Sequence, residues 1–312
     1  EAFIFPAVHN AFKFCILSLT GEKLLIREAD YIFLCRYYQD LRQDERHFRL
    51  SHEDFIAINP NTMNCPIFRT RADTELTKKI YKGVAVLVNE KTGQNQWGVN
   101  FRQGLFNMTS SSHLFATEAA ADRLPLYEAK FIWHFDHRFS SYESATQADI
   151  NAGRLPQIDE KDHQNPFLGV RSRYWIPRIE LEKQLAGWSN RWLLCFRDIT
   201  SSVVERTAIF SVVPFVGVAD TISVVFPDSI YGAIDNICLL GNFNSLVFDY
   251  ATRQKVGGVH LTLVVARQLP VLSPATYQTE GKVFLAPRAL ELVYTAWDIA
   301  PFAADIWQEA DE

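Results

Sequence analysis

A chain of 312 residues that is 48% hydrophobic and 21% charged can bury a large core, with room for two or three domains, which excludes a disordered protein. The uncharged run at residues 207–219 is broken by Pro214 and Gly217 and is too short to cross a bilayer as a helix. A formal net charge of −5 counts against a surface that binds nucleic acid, because neutralising phosphates requires an excess of Lys and Arg, but it leaves a local excess open. Cys15, Cys35, Cys65, Cys195 and Cys238 are odd in number, scattered and never spaced Cys-x-x-Cys. They suggest neither a disulfide framework nor a thiolate zinc site, and a reducing cytoplasm fits them best. Glu1 stands first, and Phe3-Ile4-Phe5-Pro6 has neither the basic flank nor the long apolar stretch of a signal peptide, so the chain reads as cut from something longer.

In chain order, residues 12–19 read as a strand, followed by a turn at Gly21 and an amphipathic helix carrying Tyr31, Cys35, Tyr38 and Leu41 on one stripe. Ser51 with Asp54 is a capping-box start for a short helix that must end at Asn59-Pro60. After a loop rich in Asn, Pro and Thr, Asp73 caps a helix with Leu76 and Ile80 on one face, and residues 97–101 alternate like a strand. From Leu126 the texture changes to strands separated by loops. Phe131, Trp133, Phe135, His137 and Phe139 alternate with Ile132, His134, Asp136 and Arg138, a period of two. Further strands are expected at residues 174–179, 192–199, 207–213, 221–226 and 259–266. A helix over residues 235–254 puts Ile237, Leu240, Val247 and Ala251 near one face, pairs Asp249 with Arg253 and ends at Gly257-Gly258. Pro270, Pro274 and Tyr277 mark a linker before helical residues 287–297 and a final helical turn. There is no internal repeat and no low-complexity tract.

Several groups of side chains are candidates for chemistry. His134, Asp136 and His137 are residue types that ligate zinc or a hydrolytic metal. On a strand, however, His134 and Asp136 share one face and His137 the other, so the three do not converge without a bulge. The competing reading is a strand with an aromatic core face and a polar face, His134 and Arg138 included, that lines a DNA groove. Residues 163–178 hold Arg171, Arg173 and Arg178 with no acid, interleaved with Phe167, Tyr174 and Trp175. Guanidinium forks suit phosphates and the guanine edge, and aromatic planes suit unstacked bases, against the plainer reading of a solvated loop and an edge strand. Arg253, Lys255 and His260 flank the Gly257-Gly258 turn, where backbone can approach a phosphate; equally, bases there complement a helix dipole. Arg197 and Arg206 bracket a Thr-Ser-Ser loop, with Asp198 and Glu205 at hand as partners. Asn242, Asn244 and Ser245 are poor helix formers that need a local reason, most simply hydrogen bonds to a neighbouring strand.

Two series of motifs run through the chain. The first is Leu50-Ser51-His52, Asn59-Pro60-Asn61-Thr62, Cys65-Pro66-Ile67-Phe68-Arg69, Arg71-Ala72-Asp73 and Lys79-Ile80-Tyr81. The second starts with Leu126-Tyr127-Glu128-Ala129-Lys130, Phe135-Asp136-His137-Arg138-Phe139 and Tyr142-Glu143. It continues with Arg197-Asp198-Ile199-Thr200, Glu205-Arg206-Thr207, Asn242-Phe243-Asn244-Ser245-Leu246, Arg253-Gln254-Lys255, Gly257-Gly258 and Gln268-Leu269-Pro270-Val271-Leu272. The first series resembles the segment after the catalytic motifs of large adenine-specific DNA methyltransferases, such as fused restriction-modification enzymes and those of the DISARM and BREX phage-defence systems. The second is similar to their target recognition domain, itself akin to the specificity subunits of type I restriction systems. Ala129 departs from the Gly usual there.

The resemblance implies an α+β fold: a mainly antiparallel target-recognition lobe with packed helices, preceded by a smaller α/β segment from the edge of a methyltransferase domain. It implies boundaries at residues 1–112 for that edge and a helical connector, 113–274 for DNA recognition and 275–312 for a helical tail. The expected DNA-contacting set is Lys130, His134, Arg138, Arg171, Arg173, Tyr174, Trp175, Arg178, Arg197, Arg206, Arg253, Lys255 and His260. Partners would be double-stranded DNA, the N-terminal methyltransferase domain of the same parent and other defence-system subunits, with no membrane. Adenine methylation needs an Asn/Asp-Pro-Pro-Tyr/Phe motif to hold the flipped base and a Gly-rich turn for the methyl donor. Neither is in this chain: Asn59-Pro60-Asn61-Thr62 and Asn165-Pro166-Phe167-Leu168 lack the second Pro and the aromatic and read as turns. The expectation is therefore that S-adenosylmethionine belongs to the parent and that this segment has no cofactor, no metal and no catalytic residue of its own. A protein-interaction scaffold and a metal-dependent hydrolase built on residues 134–137 are the competing readings.

Overall fold

The structure is a computed structural model that describes His9, residues 12–21 and residues 23–311; the Phe3-Ile4-Phe5-Pro6 stretch lies outside the described residues. The chain opens with strands β1 (Glu28–Tyr31) and β2 (Phe48–Ser51), helices α1 (His52–Ile58) and α2 (Arg71–Gly83), and strands β3 (Asn100–Gln103) and β4 (Arg123–Tyr127). Two short helices, α3 (Gln147–Asn151) and α4 (Glu160–His163), precede β5 (Trp175–Pro177), α5 (Arg178–Gln184), β6 (Trp192–Arg197), β7 (Phe210–Pro214), β8 (Gly217–Val218) and β9 (Ile222–Phe226). Helices α6 (Ala233–Phe243), α7 (Leu246–Lys255), α8 (Leu263–Arg267), α9 (Pro274–Val293) and α10 (Ala300–Asp311) complete it. The fold is α+β, as expected: mainly antiparallel sheets packed with helices and, among the described residues, no barrel. The central sheet has the order β3-β9-β6-β7, every pair antiparallel. A second sheet, β5-β4-β8, joins an antiparallel to a parallel pair, and β1 pairs with β2 alone.

The central sheet is a partition. A strand sends successive side chains to opposite faces, and in β6 Trp192, Leu194 and Phe196 enter one core while Leu193 and Cys195 enter another. Strand β7 divides likewise, with Phe210 and Val212 on the first side and Val213 on the second, as does β9, with Val225 against Ile222 and Val224. Strands β6, β7 and β9 are therefore apolar at most positions rather than at every second one, the pattern of strands covered on both faces, while the edge strand β3 is polar and mostly exposed. The first core takes Ile237 and Leu240 of α6, Ala289 and Val293 of α9 and Phe302 of α10, together with Phe48, Ile58 and Tyr81 from the opening segment. The second takes Leu126 of β4, Ile176 of β5 and Leu181 of α5. Each of the Leu, Ile, Val and Phe side chains among these, fully buried, contributes about 1.5–3 kcal/mol. Both sheet and core cross the expected boundaries: β3 pairs with β9, and α6 packs on α9.

Local signals succeeded where the capping chemistry was explicit. Ser51 Oγ accepts from the Asp54 N–H at 3.2 Å and the Asp54 carboxylate from the Ser51 N–H at 2.8 Å, and α1 ends at Asn59-Pro60. Elsewhere the structure corrects the reading. Residues 12–19 belong to no strand. The expected helix through Tyr31, Cys35, Tyr38 and Leu41 is replaced by β1 and a 3-10 turn at Tyr38–Arg42. Leu34 sits at φ 59°, and the Asp40 carboxylate takes the N–H groups of Arg36 and Tyr37, which folds the chain back before a helix can propagate. Helix α2 is capped by Thr70, with Asp73 three residues on, and buries Thr74, Thr77 and Tyr81 while Leu76 is exposed. The predicted strand at residues 259–266 is instead helix α8, whose first turn Thr262 caps. The single helix expected at 235–254 is two, because Ser245 caps α7 afresh. The expected linker starts α9, which buries Tyr277 and kinks at Gln278 with φ 38°.

Candidate nucleic-acid interface

The residues expected to form the groove strand, 131–139, form a tight reversal instead. After a 3-10 turn at Ala129–Phe131, Trp133 and Asp136 exchange backbone hydrogen bonds at 2.7 and 3.1 Å, Phe135 adopts φ 67°, and the Phe139 N–H returns to the Phe131 carbonyl at 2.8 Å. A period of two has no meaning across such a turn, so the polar face does not exist. His134 Nε2 meets the Asn244 carbonyl at 2.7 Å. Buried His137 meets the Asp298 carboxylate at 2.8 Å, and Asp136 accepts from the Arg138 N–H and faces His163. The three metal-type side chains thus diverge to separate partners.

Arg138 and Lys255 are corrected from DNA contacts to internal fastenings. Arg138 has no exposed surface, and its guanidinium donates to the carbonyls of His163, Asn165, Leu168 and Thr295 at 2.5–3.0 Å. It ties the loop after α4 to the segment after α9. The buried Lys255 ammonium donates to the Ile58 and Gln268 carbonyls above the Tyr81 ring, and burial holds its pKa well below the usual lysine range. Neither reaches a phosphate. Arg253 bonds the carbonyls of Ser202, Val204 and Glu205 and pairs with Asp249 at 3.1 Å, so it also serves the fold, fastening the loop after β6. Asn165 and Asn59 sit in turns, as read.

Another part of the set does come together at the end of the β4–β5 pair. Buried Ser172 donates to the Leu126 carbonyl at 2.5 Å, so its neighbours Arg171 and Arg173 both project outward. Arg171 faces Glu143 at 3.4 Å, each side chain 63% exposed, a weak and solvated pair. The Arg173 guanidinium lies 5.1 Å from the centre of the Tyr174 ring, which packs on Phe115. The Arg171 carbonyl accepts from the Tyr142 N–H at 3.1 Å, and the Tyr142 hydroxyl takes a hydrogen bond from Lys130 at 2.8 Å and gives one to Glu128 at 3.1 Å. Burial opposes the charge of Lys130, but Tyr142 and Glu128 outweigh it and raise its pKa, so Lys130 is a cation throughout the neutral range. At the far end of β5, Arg178 opens α5 beside Arg123, which lies opposite Pro177. Arg123 was not anticipated; the β4–β5 register that places it is invisible without the fold. Trp175 opens β5, its N–H and carbonyl bonded to Ala116.

The remaining candidates lie around the loop after β6. Arg197 is mostly buried over the Trp133 ring, and burial lowers its pKa. Arg206 is half-exposed near His134. His260 pairs with buried Asp198 at 3.0 Å, so Asp198 serves His260 rather than Arg197. His260 lines a cleft of about 420 Å³ with Gln103, Asp198, Ser223, Thr262 and Leu263. Comparison with protein-family models and with curated proteins finds no match.

Proposed function

We propose that this chain is the DNA target recognition portion of an adenine-specific (N6) DNA methyltransferase of a cytoplasmic restriction-modification or phage-defence system. It directs methyl transfer from S-adenosylmethionine held by the methyltransferase domain of the same parent, other defence subunits being further partners. The observation that carries the reading is the strip of Lys130, Arg171 and Arg173, set around half-exposed Tyr142 and Tyr174 on one edge of the β4–β5 sheet. Among the described residues the carboxylates paired with it are Glu128 and Glu143, which leave it a net cation, and flat aromatic rings beside exposed guanidinium groups suit phosphate and base contact. Arg123 and Arg178 lie at the other end of β5, a strand of three residues and so about 10 Å long at the usual rise per residue. The motifs that carry the resemblance support the reading too, since Glu128, Lys130 and Tyr142 meet in this strip.

The test is a mobility shift with a duplex of mixed sequence at two salt concentrations. Target recognition predicts binding that weakens steeply as salt rises, because bound phosphates release counterions. Binding that is absent, or indifferent to salt, would favour the interaction-scaffold reading, which the pairing of so many other cations within the fold supports.

A further inference from the structure

Where the loop before β6, the loop between β9 and α6, and helix α10 meet, the fold leaves a cleft of about 270 Å³. Trp188, Trp192 and Tyr231 supply aromatic walls, and Asp228, Asp305 and Glu309 supply three carboxylates. Among the described residues no Lys, Arg or His lines it. Arg191, beside Trp192 in the chain, lies 3.8 Å from the centre of the Phe215 ring instead. Hydrogen bonds sort the carboxylates. Glu309 accepts from the Ala233 and Ile234 N–H groups, so the start of α6 already holds an anion. Asp305 accepts from Trp192 Nε1 through Oδ2 at 2.7 Å, and Asp228 from the Ile230 N–H through Oδ1 at 3.0 Å. Asp305 Oδ1 and Asp228 Oδ2 are left without a hydrogen-bond partner among the described residues. Asn236 adds a third acceptor. It lines the cleft at 2% exposure, its Nδ2 donates to the Tyr231 and Gly232 carbonyls at 3.0 and 2.7 Å, and its Oδ1 is buried without a partner. Two carbonyl acceptors fix which way the amide faces, and a buried oxygen with no donor is unfavourable. The groups that would satisfy this cleft are N–H donors from outside the fold.

We propose that the cleft binds an aliphatic diamine or polyamine, its ammonium groups held by Asp228 and Asp305, an N–H given to Asn236, and its methylene chain laid along Trp188, Trp192 and Tyr231. Ammonium groups are attracted to aromatic faces, and the methylenes gain by leaving water. Three carboxylates and an occupied helix end repel an anion. A metal ion fits no better, because no three carboxylate, imidazole or thiolate groups among the described residues converge as a metal site. Separated carboxylates suit a cation whose charge is divided between the ends of a chain. The volume lies below the roughly 300–1,000 Å³ usual for drug-sized ligands, which sets the ligand as small. The proposal stands apart from the DNA reading, since the cleft shares no residue with the strip of Lys130, Arg171 and Arg173.

Isothermal titration of this chain with cadaverine, followed in parallel by tryptophan fluorescence, tests the proposal. Uptake should saturate at one molecule per chain and change the indole emission. Asp228→Asn and Asp305→Asn each keep an acceptor for the N–H that the carboxylate now holds, so the melting temperature should stay in place while binding weakens about 10-fold or more. Glu291→Gln removes an exposed acid that does not line the cleft and should leave binding unchanged. N-acetyl-lysine methylamide offers an aliphatic stem with a single ammonium and should bind at least about 10-fold more weakly than cadaverine. Equal binding of that probe would assign the cleft to a lone ammonium, such as a lysine side chain of another protein, and overturn the diamine assignment. The absence of saturable cadaverine uptake overturns the proposal outright. Uptake that all three variants weaken alike marks diffuse attraction to an acidic surface, and uptake that none of them weakens lies elsewhere on the chain; either result overturns it too.

Discussion

Asn244 holds both backbone groups of Phe210: its Oδ1 accepts from the Phe210 N–H at 3.2 Å, and its Nδ2 donates to the Phe210 carbonyl at 3.0 Å. One amide side chain at the end of α6 thereby acts as the missing neighbour of β7 where the sheet stops. Phe210 also stacks on Phe243 at 4.5 Å and on Phe196 at 4.9 Å, so the bond fixes the register of the first core. Replacing Asn244 by Ala strands a buried N–H and should cost about 1–3 kcal/mol. A urea unfolding midpoint within error of the parent sequence, at the same slope, would remove Asn244 from this role.

Arg138 is predicted to matter for folding and not for DNA. Arg138→Ala leaves four carbonyls to find other partners and opens a cavity between α4 and the start of α10, which should cost at least about 3 kcal/mol. Arg138→Lys supplies one compact ammonium in place of a planar fork and should recover only part of that loss. DNA affinity per folded molecule should be unchanged in the lysine variant. A variant as stable as the parent that binds DNA many-fold more weakly would return Arg138 to the interface.

The features legible in the sequence were those decided within a few residues. Ser51 and Asp54 are three apart and settle the start of α1 between themselves, and Asp249 finds Arg253 one turn on. The need of Asn244 for a strand partner was legible because its residue type is out of place in a helix. Residues 131–139 were not legible. Their alternation of aromatic and polar side chains satisfies a strand pattern by accident, while the reversal is set by Phe135 at positive φ and by partners 25 to 161 positions away, among them His163, Thr295 and Asp298. The sorting of cations failed for the same reason. Nothing near Lys255 says that its ammonium will face Ile58, 197 residues back, whereas the outward turn of Arg171 and Arg173 follows from the buried serine between them.

Stability should depend on pH through His134. Burial, the largest influence, lowers its pKa below the ordinary 6.5, and the Asn244 carbonyl opposes that shift without cancelling it. Above 6.5 the ring is neutral in both the folded and unfolded chain and contributes no pH dependence. As the pH falls through 6.5 towards the depressed value, the unfolded chain takes up the proton first, so the folded state loses ground across that window. His134→Gln keeps an N–H for the Asn244 carbonyl but does not titrate, and its stability should fall less steeply with acid. Parallel curves for the two proteins, measured by denaturant unfolding from pH 7.5 downwards, would show that His134 carries none of the slope.

The interface itself is tested by separating cations that face solvent from those that serve the fold. Arg171→Ala with Arg173→Ala removes two exposed guanidinium groups whose polar and ring contacts among the described residues are the weak Glu143 pair and the face of Tyr174. The melting temperature should therefore move little, since such surface pairs are worth at most about 1 kcal/mol. If both reach phosphates, the slope of log K against log salt should flatten by about 2 and binding should weaken on every duplex alike. Arg253→Gln is the counterpart, because that side chain anchors the loop through Ser202, Val204 and Glu205: it should lower stability and leave the slope of the folded fraction alone. The reverse pattern, a flattened slope from Arg253→Gln and an unchanged one from the double variant, would move the interface from the β4–β5 edge to the loop after β6.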